Sequence, residues 1–496
     1  MRITFKGSIT VFMALLLTSI LALSGAVLEI VRYSGMKNVV IEAENNAGHS
    51  LCSNYNQKLW NQYHIYGLSC NYPVLQGTKR YIEMGMGNES DSKGVDFYKG
   101  EVGQVQLVGN KRLTDFEGED YFQQAVRYQK IHFPKILIEK WKDYGKRQQN
   151  EAESVSDQNT IELSQSAMDE LKDDKWKEKK GEPVTHKDAK EYENLKNPVT
   201  EYGNLTGGLL SQLVVEDPSK ISTCKMRSSC MQSFEEMEKG SLAQSETEES
   251  QVTNQLLFVS YLAQHYSSFV LPQNDRGIQY QLEYILTGKD NDANALESTL
   301  QRMKWLRIGV NYLYLFTSSV QSQKAMAYAV ALVGFTGIEP LIEAVKLGIL
   351  YVWAYSETIK ELKCLAAGKT IPILKTDQNF RTDLKQLFTA GPNTNWDQDQ
   401  GLKIGYTEMI QLLLVMEQPT KQRLRSIHCI NMDLTGKEEK NETLSMDQFY
   451  SGLELRVGIQ FDNIFACMNQ QNQKPRFLYC YERTYHIGYL QEENND

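Results

Sequence analysis

The first thirty residues constrain this chain more than any other stretch. No charged residue occurs from Gly7 to Leu28, and most positions from Ile9 to Leu28 are apolar. Twenty helical residues span about 30 Å, which is the thickness of the hydrocarbon core of a bilayer. Arg2 and Lys6 precede the run without a compensating acid, and this favours an N-terminus in the cytoplasm. The sequence therefore predicts a single-pass cell-membrane protein whose bulk is extracytoplasmic.

A cleaved secretory signal is the competing interpretation of the same run. Small residues stand in cleavage-like patterns at Ala22 to Ser24 and at Ser24 to Ala26. Against cleavage, the run is longer than a usual signal core and continues without Pro into a stretch with helical periodicity. We predict an uncleaved transmembrane helix over 9–28 that continues as a stalk helix over 29–65. Release by cleavage near Ser24 or Ala26 stays the alternative.

The overall composition excludes several classes of protein. With 62 acidic and 53 basic residues the net charge is −9, so no bulk positive field draws the chain to nucleic acid. A charged fraction of 23% over 496 residues is typical of soluble globular domains and not of a polytopic membrane protein. The chain is long enough for two or three such domains.

The remaining chain divides by its residue pattern. Strict alternation at Leu453, Leu455, Val457, Ile459 and Phe461 predicts a half-buried strand, with a second strand following it. The predicted fold class is α+β, with a single transmembrane helix, a stalk helix, a mixed α/β region, a predominantly helical domain and a C-terminal β-hairpin. The predicted divisions are a cytoplasmic N-terminus at 1–8, a mixed region at 66–142, a charged polar linker region at 143–250, a helical domain at 251–432 and C-terminal β-strands at 444–490.

The chain carries no catalytic signature that we recognise. His-Glu-x-x-His, Gly-x-Ser-x-Gly, the phosphate-binding Gly-x-x-x-x-Gly-Lys-Ser/Thr and the dinucleotide-binding Gly-x-Gly-x-x-Gly do not occur. We therefore predict no catalytic residue, no cofactor and no metal site, and a protein that is not an enzyme. Glu283 and Arg307 stand inside apolar helical stretches, where they indicate either a structural ion pair or a perturbed acid.

Eight cysteines in an exported chain permit disulfides. Cys224 and Cys230 are near enough in sequence to pair, and so are Cys467 and Cys480. No Cys-x-x-Cys occurs, so a zinc site of that kind has no support.

The N-terminus resembles that of the minor pseudopilins of the tight-adherence (Tad) pilus. The matching residues are Lys6-Gly-Ser-Ile-Thr-Val-Phe12 and the apolar run after them. The resemblance implies processing between Gly7 and Ser8 and incorporation into a filament. The chain departs from the pattern because Val11 is followed directly by Phe12, without the intervening Glu of that family. That Glu neutralises a terminal amine within the membrane, so its loss removes the physical reason for pilus-style packing.

A second resemblance covers most of the helical half. Asp115-Phe-Glu-Gly-Glu-Asp120, Leu306-Arg-Ile-Gly-Val-Asn-Tyr312 and Leu350-Tyr-Val-Trp-Ala-Tyr-Ser-Glu357 are similar to stretches of an uncharacterised membrane-anchored family of clostridial-type Gram-positive bacteria. Members of that family are often encoded beside Tad-type pilus genes, so the resemblance implies a location and neighbours but no reaction. The leading hypothesis is a structural or assembly protein at a Tad-like pilus or cell-surface apparatus. The alternative is a secreted surface enzyme or carbohydrate-binding protein.

Overall fold

The computed structural model divides the chain into two compact units. The sheet unit comprises residues 1–125, 233–247 and 444–496, and the helical unit comprises residues 126–232 and 248–443. The structure describes residues 8–87, 100–132, 184–187, 189–192, 208–243, 251–273, 277–387, 401–435, 444–462 and 478–490, with the single positions 98, 198, 202, 396 and 399.

Helices and strands alternate irregularly along the described residues. The α-helices are α1 (Ser8–Cys52), α2 (Gln57–Tyr63), α3 (Tyr72–Gly85), α4 (Asp115–His132), α5 (Leu210–Val214), α6 (Gln251–His265), α7 (Gln281–Thr287), α8 (Asp292–Thr317), α9 (Ser319–Val333), α10 (Glu339–Ala366), α11 (Tyr406–Val415) and α12 (Pro419–Thr435). The strands are β1 (Gly100–Arg112), β2 (Ile371–Pro372), β3 (Lys403–Ile404), β4 (Tyr450–Asp462) and β5 (Leu478–Gly488). The predicted α+β class is confirmed.

The sheet unit is built on an antiparallel sheet in the order β1-β4-β5. The alternation that predicts β4 has its expected consequence, because Leu453, Leu455, Val457, Ile459 and Phe461 are all buried. These side chains form one hydrophobic core with the buried residues of α1 and with Ile82 of α3. The two helices therefore cover the apolar face of the sheet.

The stalk helix is shorter than the predicted range of 29–65. Helix α1 ends at Cys52, and α2 begins after Asn56, whose side chain accepts hydrogen bonds from the amides of Lys58 and Leu59. Asn favours an N-cap because its short side chain satisfies amides that a helix start leaves free. The side chain of Asn56 therefore begins a new helix where the periodicity alone suggested a continuous one.

Part of the predicted linker region is folded. Residues 208–243 contain helix α5, which buries Leu210, Ser211 and Val214, and the amides of Ser241 and Leu242 donate to the carbonyl of Asn110 in β1. Charged composition suggested solvation, but backbone hydrogen bonds to a strand order this segment regardless of its side chains. Most of 143–250 before residue 208 lies outside the described residues, and so do residues 1–7 of the predicted N-terminal segment 1–8.

The helical unit contains the predicted helical domain. Helix α10 is buried at every position from Gly348 to Thr358, as expected for a helix surrounded by protein on all sides. Helices α8 and α9 contribute to the same hydrophobic core as α10. The short strands β2 and β3 pair antiparallel, with Ile371 opposite Ile404 and both side chains buried.

Candidate functional site

The first half of α1 is an exposed apolar cylinder. Its most apolar window of 18 residues has a mean hydropathy of 2.4 and no buried residue, and Ile9 and Leu28 are 69% and 52% exposed. An apolar surface of this size is costly in water and is stable in lipid. The helix is therefore long and apolar enough to cross a membrane, as the sequence predicts for 9–28.

The first charges after the span are paired with each other. The Arg32 guanidinium lies 2.8 Å from the Glu29 carboxylate, three residues earlier on the same helix. A pair at this spacing is adjacent on one helix face. The apolar cylinder thus ends at an ion pair, at the level where an interface with headgroups and water would begin.

The second half of α1 packs on the sheet. Met36, Val40, Ala43, Ala47 and Leu51 are buried at spacings of three and four residues. These spacings agree with the helical periodicity that follows the apolar run in the sequence. One continuous helix therefore carries a lipid-compatible half and a half that is part of a folded core.

The helix runs parallel to the edge strand β5, as successive contacts show. The rings of Tyr33 and Tyr479 lie 5.5 Å apart, and the Glu44 carboxylate lies 3.1 Å from the Arg483 guanidinium. Farther along, the Tyr489 hydroxyl, just beyond the strand, donates to the carbonyl oxygen of Cys52 at 2.6 Å. Residue numbers rise together on both elements, so the two have the same direction.

Glu44 is a buried acidic residue where α1 packs beside β5. Its side chain is fully buried, and only Oε2 has a hydrogen-bond partner among the described atoms, which is Arg483. Burial raises the pKa of Glu44 to about 7, although the Arg483 guanidinium lowers it. No local pattern singles out this glutamate, because it lies within an ordinary polar stretch of the stalk helix.

The predicted processing site and disulfides are only partly within the described residues. Ser8 is the first residue of α1, while Gly7 lies outside the described residues. Cys224 and Cys230 are unbonded thiols, and so is Cys480, which is exposed on β5. Cys467 lies outside the described residues. The Gly7–Ser8 cleavage and both disulfides stay predictions.

The helical unit contains a buried cluster of four charges. The Arg307 guanidinium binds both oxygens of Glu361, at 2.8 and 2.6 Å. The Lys375 ammonium lies 2.7 Å from Glu361 and 2.7 Å from Glu357, which is one helical turn away on α10. All four side chains are nearly or fully buried. Two positive and two negative charges therefore balance within the core.

Further hydrogen bonds satisfy the cluster. Arg307 donates to the carbonyls of Ile373 and Pro372, and the Asn311 amide donates to Glu361 at 2.9 Å. The Thr382 hydroxyl donates to Glu357. Burial opposes ionisation, but the two adjacent cations lower the pKa of Glu361 to about 2. The cluster joins α8, α10 and the segment around β2, and its burial gives it the character of a structural network.

Arg307 and Glu283 do not pair, although the sequence interpretation left an ion pair open for both. Glu283 is fully buried and accepts hydrogen bonds at Oε1 from the Phe269 amide and the Tyr406 hydroxyl, each at 2.8 Å. Its Oε2 has no hydrogen-bond partner among the described residues. Burial raises the pKa of Glu283 to about 7, so its carboxyl group is a perturbed acid.

Glu283→Gln should flatten the pH dependence of stability. Glu283 ionises near pH 4.5 in the unfolded chain and near 7 in the folded one. The folded state therefore holds the extra proton between these values, and its free energy of unfolding falls as pH rises from about 4.5 to about 7, by roughly 3 kcal/mol for this group. Gln resembles the protonated acid and should remove this slope. Urea unfolding of both proteins at pH 5 and pH 8 measures the difference, and an equal slope in both would contradict it.

Residues 188–461 match a family of unknown function, DUF5702, over more than half of the chain. The chain belongs to this family. The DUF5702 stretch contains the complete four-charge cluster and Glu283, and it ends within β4. Comparison with curated proteins and with solved structures yields no match. Among the described residues, no group of three or more His, Cys, Asp or Glu side chains could hold a metal ion.

Proposed function

We propose that this DUF5702 protein is a membrane-anchored extracytoplasmic protein with a structural or assembly role, at a Tad-like pilus or another cell-surface apparatus. Continuity of α1 carries the proposal, because the same helix supplies an exposed apolar span and part of the core of the sheet unit. A rigid connection of this kind fixes a folded unit directly at the membrane.

The character of the buried charges supports a non-catalytic role. Glu357, Glu361, Arg307 and Lys375 neutralise one another within the core. Catalytic acids and bases need contact with a substrate, whereas these side chains are at most 3% exposed. The association with a pilus rests on the two resemblances, that of Lys6–Phe12 to Tad pseudopilins and that of the helical half to a family often encoded beside Tad-type pilus genes.

Labelling of Cys480 on intact cells tests the proposed orientation. The Cys480 side chain is exposed on β5, which belongs to the same unit as α1. A membrane-impermeant maleimide, added after an impermeant reductant has opened any Cys467–Cys480 disulfide, should therefore modify Cys480 without permeabilisation, as detected by peptide mass spectrometry. Cys480→Ser is the matched control for the modified peptide. Modification that requires permeabilised cells would contradict an extracytoplasmic location.

A further inference from the structure

The outer edge of β5 is long and regular. All 11 residues of β5 pair with β4 without a register shift, from Gly488 opposite Gly452 to Leu478 opposite Asp462. The amide of Tyr489 donates to the carbonyl of Ser451 at 3.2 Å. Backbone groups alternate in direction along an antiparallel strand, so odd residues of β5 face β4 and even residues face outward.

The outward backbone groups are open. Within the described part of the chain, β5 has no backbone hydrogen bond other than those to β4. The side chains of Cys480, Glu482, Thr484 and His486 are exposed. A row of unpaired amides and carbonyls is a template for another strand.

The opposite edge of the sheet, strand β1, is irregular and partly covered. Strand β1 pairs with β4 through three register shifts, the first between Val102 and Val105. Near its other end, Ser241 and Leu242 cover the carbonyl of Asn110, at 2.8 and 3.0 Å. Bulges and covering segments are the devices that prevent edge pairing, and β5 has neither among the described residues.

The direction of α1 limits what can add to β5. If β5 pairs with β5 of a second copy about a two-fold axis, the two strands are antiparallel. Because α1 runs parallel to β5, the two α1 helices would then point in opposite directions. Two copies anchored in one membrane need parallel anchors. Pairing with β1 of a second copy is disfavoured because that edge is irregular and partly covered. The exclusion of a second copy rests on the proposed anchorage. The remaining occupant is a segment of another polypeptide.

Two basic side chains, Lys37 and Arg483, lie beside β5 on the side of α1. The Lys37 ammonium lies 5.6 Å from the ring centroid of Tyr481 and 4.6 Å from that of Tyr33. No carboxylate among the described residues forms an ion pair with it. Arg483 is 33% exposed while its partner Glu44 is fully buried. A strand added to β5 would place every second side chain beside these cations.

We propose that the edge of β5 binds an extended segment of another protein, with acidic residues at alternating positions, as a fourth strand. The backbone supplies the affinity and the cations beside Tyr481 supply the preference for acidic side chains. The probe is a fluorescent twelve-residue peptide that alternates Glu and Val, added to the full-length protein in nanodiscs. A peptide that alternates Lys and Val tests the charge preference.

Thr484→Pro removes one outward amide and leaves the amides that pair with β4 in place. Fluorescence anisotropy should show binding of the Glu–Val peptide to the native protein, and at least about tenfold weaker binding to Thr484→Pro. Thr484→Val keeps the amide and should bind within about twofold of the native protein. Circular dichroism checks that Thr484→Pro is folded. If that variant misfolds, the native protein with a peptide N-methylated at alternate residues replaces it, and methylation should abolish binding.

Three outcomes would overturn the proposal. These are no binding to the native protein, equal binding to Thr484→Pro and Thr484→Val, and a dimer of this chain that Thr484→Pro abolishes. Failure of the anchorage is separate, because it appears as a soluble protein in cell fractionation. A soluble native protein that binds the peptide, with loss in Thr484→Pro, retains the edge site and refutes only the anchor.

Discussion

Deletion of residues 9–28 will move the protein from the membrane fraction to the soluble fraction. This segment is the exposed apolar half of α1, and no residue of its most apolar window is buried in the protein. Its removal takes away the surface that lipid would cover and leaves the buried stripe from Met36 to Leu51 on the sheet. We therefore expect complete loss of membrane retention with little change in the melting temperature of the sheet unit. Alkaline carbonate extraction followed by immunoblotting measures the first effect.

A replacement of the span provides the control for this deletion. An unrelated run of 20 alternating Leu and Ala in place of 9–28 should restore retention, because length and hydropathy are the properties that matter. A deletion variant that still resists carbonate extraction would contradict the anchor. A replacement variant that becomes soluble would show that particular residues of the native helix are required.

Glu361→Ala will destabilise the helical unit by about 3–5 kcal/mol. The substitution leaves the buried Arg307 guanidinium without its carboxylate and takes one of two anions from Lys375. An uncompensated charge in the core is costly because it has lost its hydration. Denaturant unfolding followed by tryptophan fluorescence measures the loss, since Trp353 and Trp396 are buried in this unit.

Glu343→Ala on the same helix is the matched control. Glu343 also pairs with a lysine, Lys346, at 2.8 Å, but its side chain is 48% exposed. Exposed pairs contribute at most about 1 kcal/mol, so this variant should unfold almost as the native protein does. A loss for Glu361→Ala as small as the loss for Glu343→Ala would contradict the prediction.

Local sequence patterns predict helix α1 and strand β4, the two elements whose apolar residues pack together in the sheet unit. Helix α1 follows from an uncharged apolar run and a stripe at three- and four-residue spacing, and β4 follows from strict alternation. Both patterns arise because one face of a regular element meets a core, and a short stretch of sequence contains that information.

The buried clusters depend on partners distant in sequence. Arg307 stands out as a cation in an apolar helix, but nothing near it identifies Glu361 as its partner. The available signal was the four-residue spacing of Glu357 and Glu361 within an apolar helix, which places two carboxylates on one face. Lys375 lies in an irregular segment without periodicity, so its burial could not be anticipated.

The turn at the start of α4 shows the same limit. Phe116, Glu117 and Gly118 all have left-handed backbone conformations, with φ of 52°, 60° and 71°. Side chains with a Cβ rarely adopt this conformation, and the sequence gives no sign of it at Phe116. The Asp115 carboxylate accepts hydrogen bonds from the amides of Arg112 and Gly240, the second of which is far away in sequence. Such contacts support an irregular backbone that local propensity does not favour.

The intact mass of the native protein tests the central claim most directly. The claim is that α1 stays a single helix from the membrane into the sheet unit, so purification from the membrane fraction should yield an uncleaved N-terminus and, for these 496 residues, a mass of 56.8 kDa. A start at Ser8 would keep the span and add pilin-type processing. A start at Gly25 or Val27, with the protein in the culture medium, would contradict the anchor and favour secretion.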